Sequence, residues 1–131
     1  MKKNTLLNSE LSAVIARLGH GDMVVIGDAG LPIPPGPQRI DLAITRGLPG
    51  MQDVLDAILS EMQVESAVVA TELAEGNPAL LGALESRLPG AVLTRIDHEA
   101  FKTMTAQARA MVRTGECTPY ANIILRAGVV F

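Results

Sequence analysis

Aromatic residues are nearly missing from this 131-residue chain. It has no tryptophan, two phenylalanines and one tyrosine, so aromatics make up 2% of residues while 48% are hydrophobic. The core must therefore be built from Leu, Ile, Val, Ala and Met, as in buried sheets flanked by helices. Cysteine occurs once, at Cys117, so no internal disulfide can form and nothing requires an oxidising compartment. No apolar run reaches about 18 residues, and Met-Lys-Lys-Asn at the start is followed by Asn8, Ser9 and Glu10 rather than a sustained apolar stretch. The expectation is a soluble, cytoplasmic protein with no membrane partner. Positive charge is short as well. With 11 Lys+Arg against 14 Asp+Glu the formal net charge is −3, and the basic residues are scattered, which argues against nucleic acid as a partner and for a small neutral ligand.

The hydrophobic pattern gives a single domain over residues 1–131. Leu7, Leu11, Val14, Ile15 and Leu18 recur at helical spacing after Asn8, a candidate N-cap, and predict a helix over 9–18. Met23 to Gly27 is a short strand-like run, and the four prolines between Ala29 and Pro37 then require an extended loop. Alternation over 40–44 predicts a strand, and Met51, Val54, Leu55, Ile58, Leu59 and Met62 form a wide helical stripe. Ala67–Ala70 reads as a buried strand, Asn77-Pro78 starts a helix that Pro89-Gly90 breaks, and 91–96 gives another strand. Asp97 caps a helix whose inner face is Phe101, Met104, Ala108, Met111 and Val112, and strands follow over 122–126 and 129–131. This alternation predicts an α/β fold, a three-layer sandwich with a mostly parallel mixed sheet and helices on both faces.

Few residues carry candidate chemistry. His20, between Gly19 and Gly21, is an accessible imidazole able to take or give a proton, although a solvent-facing histidine at a helix end explains the same letters. Asp28 closes a strand where ligands gather in open α/β sheets, or is simply the Asx-turn residue before Gly30. His98 follows the cap Asp97, with Lys102 one turn along on the same face, an arrangement that is also ordinary for an exposed helix start. Thr114, Glu116, Thr118, Tyr120 and Asn122 alternate, and Pro119 favours an extended Thr118, so these side chains are expected on one side of a strand-like stretch. Tyr120 and Asn122 offer donors and acceptors without charge, which favours a polar ligand over a polar edge strand. Gly19-His-Gly21 precedes its strand and is no dinucleotide fingerprint, no phosphate-binding loop is present, and two distant histidines without a cysteine cluster make no metal site. No cofactor or metal is expected.

The segments Leu18-Gly-His-Gly-Asp22, Ile26-Gly-Asp-Ala-Gly-Leu-Pro-Ile-Pro34, Ile40-Asp-Leu42, Gly47-Leu-Pro49, Arg113-Thr-Gly-Glu-Cys-Thr-Pro-Tyr-Ala-Asn122 and the chain end Gly-Val-Val-Phe131 resemble the ribose pyranase and fucose mutarotase family. The resemblance runs along nearly the whole chain. It implies an isomerase that interconverts the pyranose and furanose forms of β-D-ribose, with His20 matching the proton donor and Asp28, His98, Tyr120, Ala121 and Asn122 matching sugar-binding positions. Gly30-Leu31-Pro32 after Asp28-Ala29, and Pro119 before Tyr120, favour the ribose branch; L-fucose mutarotation and a non-catalytic ribose-binding transport accessory are the alternatives. Gly27 stands where alanine is expected in the family.

Ring opening needs a proton on the ring oxygen and one removed from the anomeric hydroxyl, a task for acid–base groups alone. His20 takes the acid role in this reading, Asp28 orients the imidazole or a hydroxyl, and Tyr120, Asn122 and His98 hold the remaining hydroxyls. At 3.3 Å per residue, a strand over 23–27 separates His20 from Asp28 by on the order of 15–25 Å, too far for one pentose. Either the strand is short and the proline loop folds back, or the site is shared between subunits. The resemblance implies a homo-oligomeric ring, a decamer or octamer, and so favours sites at subunit interfaces.

Overall fold

A computed structural model describes residues 1–131. In chain order the elements are α1 (Ser9–Arg17), β1 (Met23–Gly27), β2 (Gln38–Asp41), α2 (Met51–Leu59), β3 (Val64–Ala70), α3 (Thr71–Gly76), α4 (Pro78–Ser86), β4 (Val92–Ile96), α5 (His98–Thr105), β5 (Ala110–Arg113) and β6 (Ile123–Ala127). The strands form one six-stranded sheet in the order β2-β5-β1-β6-β3-β4. β2 pairs parallel with β5, β5 with β1, and β3 with β4, while β6 runs antiparallel to both of its neighbours, β1 and β3. β6 is thus one reversed strand inside a sheet whose other five strands share a direction. The expected mixed, mostly parallel α/β sheet with helices on both faces is what forms.

The caps read from sequence close the helices. The Asn8 side chain accepts from Leu11 N–H at 2.9 Å, Asn77 from Leu80 N–H at 3.0 Å and Asp97 from Ala100 N–H at 2.9 Å, each satisfying an N-terminal donor that the helix leaves unpaired. Pro78 occupies the first turn of α4, where its missing N–H costs nothing.

The two faces of the sheet are covered unequally. Val24 and Ile26 of β1 point into a core of 23 buried residues that includes Leu11 and Val14 of α1, Met51, Leu55 and Ile58 of α2, Leu73 of α3 and Leu84 of α4. Met23 and Val25 of the same strand point to a second core of 7, where Phe101 of α5 and Leu31 of the proline loop meet Met111 and Ile124. Alternation along a strand buried on both sides assigns these residues to opposite layers. One helix and a loop therefore cover the second face, and the loop is structural as well as a candidate for function.

Five expectations need correction. The helix expected over 97–112 ends at Thr105, and Met111 and Val112 belong to β5, buried between β1 and β2. Their spacing from Phe101 and Met104 mimicked a helical face, an ambiguity inherent in short apolar runs. Residues 129–131 form no strand; they run on past the end of β6 with Val130 and Phe131 exposed. Residues 71–76 form the unexpected α3. The stretch 114–122 is a compact loop instead of an alternating strand, for reasons that bear on the site. The strand expected over 40–44 lies over 38–41, an edge strand on which only Ile40 is buried.

Candidate functional site

A cleft of about 280 Å³ opens at the carboxyl ends of the parallel strands and is lined by Asp28, Gly30, Leu31, Pro32, His98, Pro119, Tyr120 and Asn122. Three separate segments meet here: the end of β1 with the proline loop, the start of α5, and the loop leading into β6. In such sheets the ends of the strands leave backbone groups and loops free to form a site.

Asp28 and Asn122 form its floor. Asn122 is only 1% exposed, and its Oδ1 accepts from Asp28 N–H at 2.7 Å while its Nδ2 donates to Asp28 Oδ2 at 3.1 Å. The other carboxylate oxygen of Asp28 accepts from Gly30 N–H at 2.9 Å. The Asx turn considered as an ordinary explanation for Asp28 is therefore present and serves the site, because it leaves the carboxylate fixed at the cleft. Gly27 permits this approach: a Cβ there would stand 2.8 Å from Leu31 Cδ2 and 3.4 Å from Asn122 Oδ1.

Tyr120 adopts φ +60°, a left-handed conformation that a bulky side chain enters only when its surroundings impose it. Asn122 N–H donates to Tyr120 O at 2.8 Å and Ala121 N–H to Thr118 O at 3.3 Å, so the chain doubles back where a strand was expected. The turn buries Ala121 and Asn122 and leaves the Tyr120 ring 40% exposed at the rim. There it meets the His98 ring edge-on at a centroid distance of 5.0 Å, while His98 stacks at 6.3 Å on the buried Phe101. His98 N–H donates to both oxygens of Glu72, and its buried Nδ1 has no partner in the protein. Lys102 pairs with Glu99 at 2.7 Å and is not part of the cleft lining.

Glu116 holds the loop in place. Its Oε1 accepts from Met51 N–H at the start of α2 and its Oε2 from the Thr118 hydroxyl at 2.9 Å. Partial burial pushes its pKa up, but the hydrogen bonds from Met51 and Thr118 outweigh this and keep it below the ordinary 4.5. Arg113 ties the proline loop to the sheet, donating to Ala29 O and to Asp41, and the Thr114 hydroxyl donates to Gly27 O at 2.8 Å. Glu72 and the bracing role of Glu116 were not legible in the sequence. Glu116 lay within the Thr-Gly-Glu motif, which marks the position but not the task, and Glu72 carried no signal.

His20 is not in this cleft. It precedes β1 where Asp28 follows it, so the two lie at opposite ends of a strand. Its turn is rigid: Asp22 Oδ2 accepts from Gly19 N–H at 2.9 Å, Gly21 N–H donates to Ala127 O at 2.8 Å, and Arg126 donates to Gly21 O. The Gly19 hydrogen bond, aided by Arg109, lowers the pKa of Asp22. The His20 side chain is 61% exposed and contacts Glu65 Oε2 through Nε2 at 2.7 Å. The proline loop packs on the sheet instead, with Leu31 in the second core and Ala29 O accepting from Arg113. A larger cleft of about 410 Å³ involves Arg17, Asp22, Gln38 and Arg109, but Asp22 and Arg109 already neutralise each other at 3.0 Å and no histidine or tyrosine borders it.

The geometry of the smaller cleft suits a compact, uncharged polyol: one carboxylate, one amide, one phenol and one imidazole, with apolar Leu31, Pro32 and Pro119 between them. No helix of the protein is long and apolar enough to cross a membrane.

A family model described as the RbsD / FucU transport protein family matches residues 1–130. The D-ribose pyranase of Paracidovorax citrulli is 63% identical over 131 residues, with both chains covered completely. Bacillus subtilis RbsD complexed with D-ribose superimposes with a TM-score of 0.96 at 46% identity, again over all of both chains. The fucose mutarotase of Streptococcus pneumoniae, in complex with L-fucose, gives a TM-score of 0.72 at 23% identity over the full length of both chains, a likeness of fold alone.

Proposed function

The chain belongs to the RbsD / FucU transport protein family, and from that premise we propose that it is an isomerase interconverting the pyranose and furanose forms of β-D-ribose. The observation that carries this reading is the convergence of Asp28, His98, Tyr120 and Asn122 on one cleft with a single formal charge. A neutral pentose presents hydroxyls that both donate and accept, and these four side chains supply both kinds of partner.

Asp28, fixed by Asn122 and Gly30, accepts from a sugar hydroxyl. The His98 imidazole and the Tyr120 hydroxyl engage others, and the buried Ala121 keeps the turn beneath them narrow. The acid is His20, contributed by a neighbouring copy: in one chain it is a strand's length away, and its exposure leaves the imidazole free to enter another protomer's cleft. The imidazolium protonates the ring oxygen as the anomeric hydroxyl loses its proton, the aldehyde rotates, and the C4 hydroxyl closes the furanose. Such assistance is worth about 10²–10⁴-fold, enough for a reaction that already proceeds unaided in water. The ring of ten or eight subunits expected for the family fits a site built this way, and the reaction belongs in the cytoplasm, where imported ribose is consumed.

Saturation-transfer NMR on ribose tests the activity: the protein accelerates pyranose–furanose exchange, and saturable binding without acceleration would instead make it a binding accessory. Co-expression tests the sharing. His20→Ala and Tyr120→Ala variants are each inactive alone, but mixed oligomers regain about a quarter of the sites, those pairing an intact cleft with an intact imidazole. No recovery would refute the shared site.

A further inference from the structure

The contact between His20 and Glu65 lies outside the sugar cleft, and the backbone is arranged to make it. In the pairing of β3 with β6, Val64 opposes Ala127 and Ser66 opposes Arg126, so Glu65 is the extra residue of a β-bulge. A bulge turns a side chain out of the regular alternation, and bulges gather beside active sites for that reason. Here the displaced side chain meets His20 Nε2 at 2.7 Å, the length of a charge-assisted hydrogen bond. Gly128 allows the approach of the chain: a Cβ there would stand 3.1 Å from Glu65 Cβ. Gly128 N–H donates to Gln63 O at 2.9 Å and closes the far side of the bulge. The turn carrying His20 is anchored to the same end of β6 through Ala127 and Arg126. Imidazole and carboxylate are therefore set on one rigid frame.

We propose that Glu65 is a positioning residue for the reaction, holding the His20 ring so that Nε2 carries the proton toward the carboxylate and Nδ1 faces the sugar. A carboxylate only accepts, so in the neutral ring the proton must reside on Nε2 and Nδ1 keeps the lone pair. Nδ1 is then the atom that takes a proton and returns it to the ring oxygen, while Nε2–H stays bonded to Glu65 throughout. No atom of Glu65 reaches the sugar in this role. The inference rests on the proposed use of His20 as the acid, yet its geometric half can be checked without any turnover.

The test has two readouts. Nitrogen-15 NMR of the imidazole reports the tautomer of the neutral ring: the Nε2–H form is expected to dominate in the wild-type oligomer and to give way to a mixture in Glu65→Ala. A mixture already present in the wild type would overturn the proposal. For exchange kinetics, Glu65→Ala is expected to lower the rate at saturating ribose about 10–100-fold with little change in half-saturation, since substrate binding is untouched. In the His20→Ala background the same substitution should do nothing further, because the two residues act as one unit. An equal loss in that background would show that Glu65 acts independently of His20. If His20→Ala itself keeps full exchange, the acid assignment fails while the tautomer result still decides the contact.

Discussion

Replacing Asn122 with alanine removes both hydrogen bonds that join it to Asp28, and the cost can be worked from their environment. The Asp28 N–H loses its acceptor at 2.7 Å beneath a residue that is 1% exposed, and a stranded donor of this kind costs about 1–3 kcal/mol. The bond from Nδ2 to the carboxylate at 3.1 Å adds about 1 kcal/mol, the worth of an ordinary hydrogen bond and below the roughly 1.5–3 kcal/mol of a buried charged one, because Asp28 is only half-buried and keeps its Gly30 contact. A loss of about 2–4 kcal/mol follows. At about 2.1 cal/mol/K per residue, the unfolding entropy of a chain this long turns that loss into a fall in Tm of about 7–15 °C. Scanning calorimetry must be run at one protein concentration, because association moves Tm by mass action. Ribose exchange should fall as well, since Asp28 loses its orientation. A Tm within about 2 °C of the wild type, where additive error ends, would refute the view that this pair holds the cleft floor.

Tyr120→Gly should relieve a left-handed backbone worth about 1–2 kcal/mol and forfeit an aromatic contact worth about 0.5–1.5 kcal/mol, so chemical denaturation should find stability nearly unchanged while ribose exchange collapses. Glu116→Gln should be less stable than the wild type at neutral pH and flatter toward acid. The depressed folded-state pKa of Glu116 gives stability that is complete above the unfolded value near 4.5 and disappears as pH falls through the folded value, a trend that urea midpoints against pH will reveal. Gly115→Ala should cost about 3 kcal/mol or more, because the new Cβ would overlap the backbone of Thr45 and Leu48, which has no side-chain freedom to yield; soluble yield and Tm report it. Gly82→Ala, within α4 with open space around it, should instead raise stability by about 0.5–1 kcal/mol.

What could be read from the sequence follows the physics of each signal. Asn8, Asn77 and Asp97 act locally, so their caps were readable from neighbouring letters alone. Asp28 at a strand end and Tyr120 beside Asn122 were likewise visible as candidates, and the cleft does unite them with His98. The long-range terms were hidden. Met111 and Val112 form a strand only because β1 and β2 lie on either side, which no local period reports. The turn at Tyr120 is imposed by Glu116 and by the burial of Asn122, whereas Pro119 alone suggested extension. Glu72 and Glu65 matter through partners 26 and 45 positions away, separations at which spacing carries no information.

The placement of His20 and the cleft at opposite ends of β1 governs how copies must meet. Under the proposed shared site, two copies can satisfy one another only reciprocally about a two-fold axis; head-to-tail pairing instead needs a rotation that closes. In the head-to-tail case growth would stop only when the final molecule reaches the first. The angle between such neighbours would then be under as strict a requirement as the chemistry, and a surface change that altered it while leaving both patches intact would yield active, open-ended filaments.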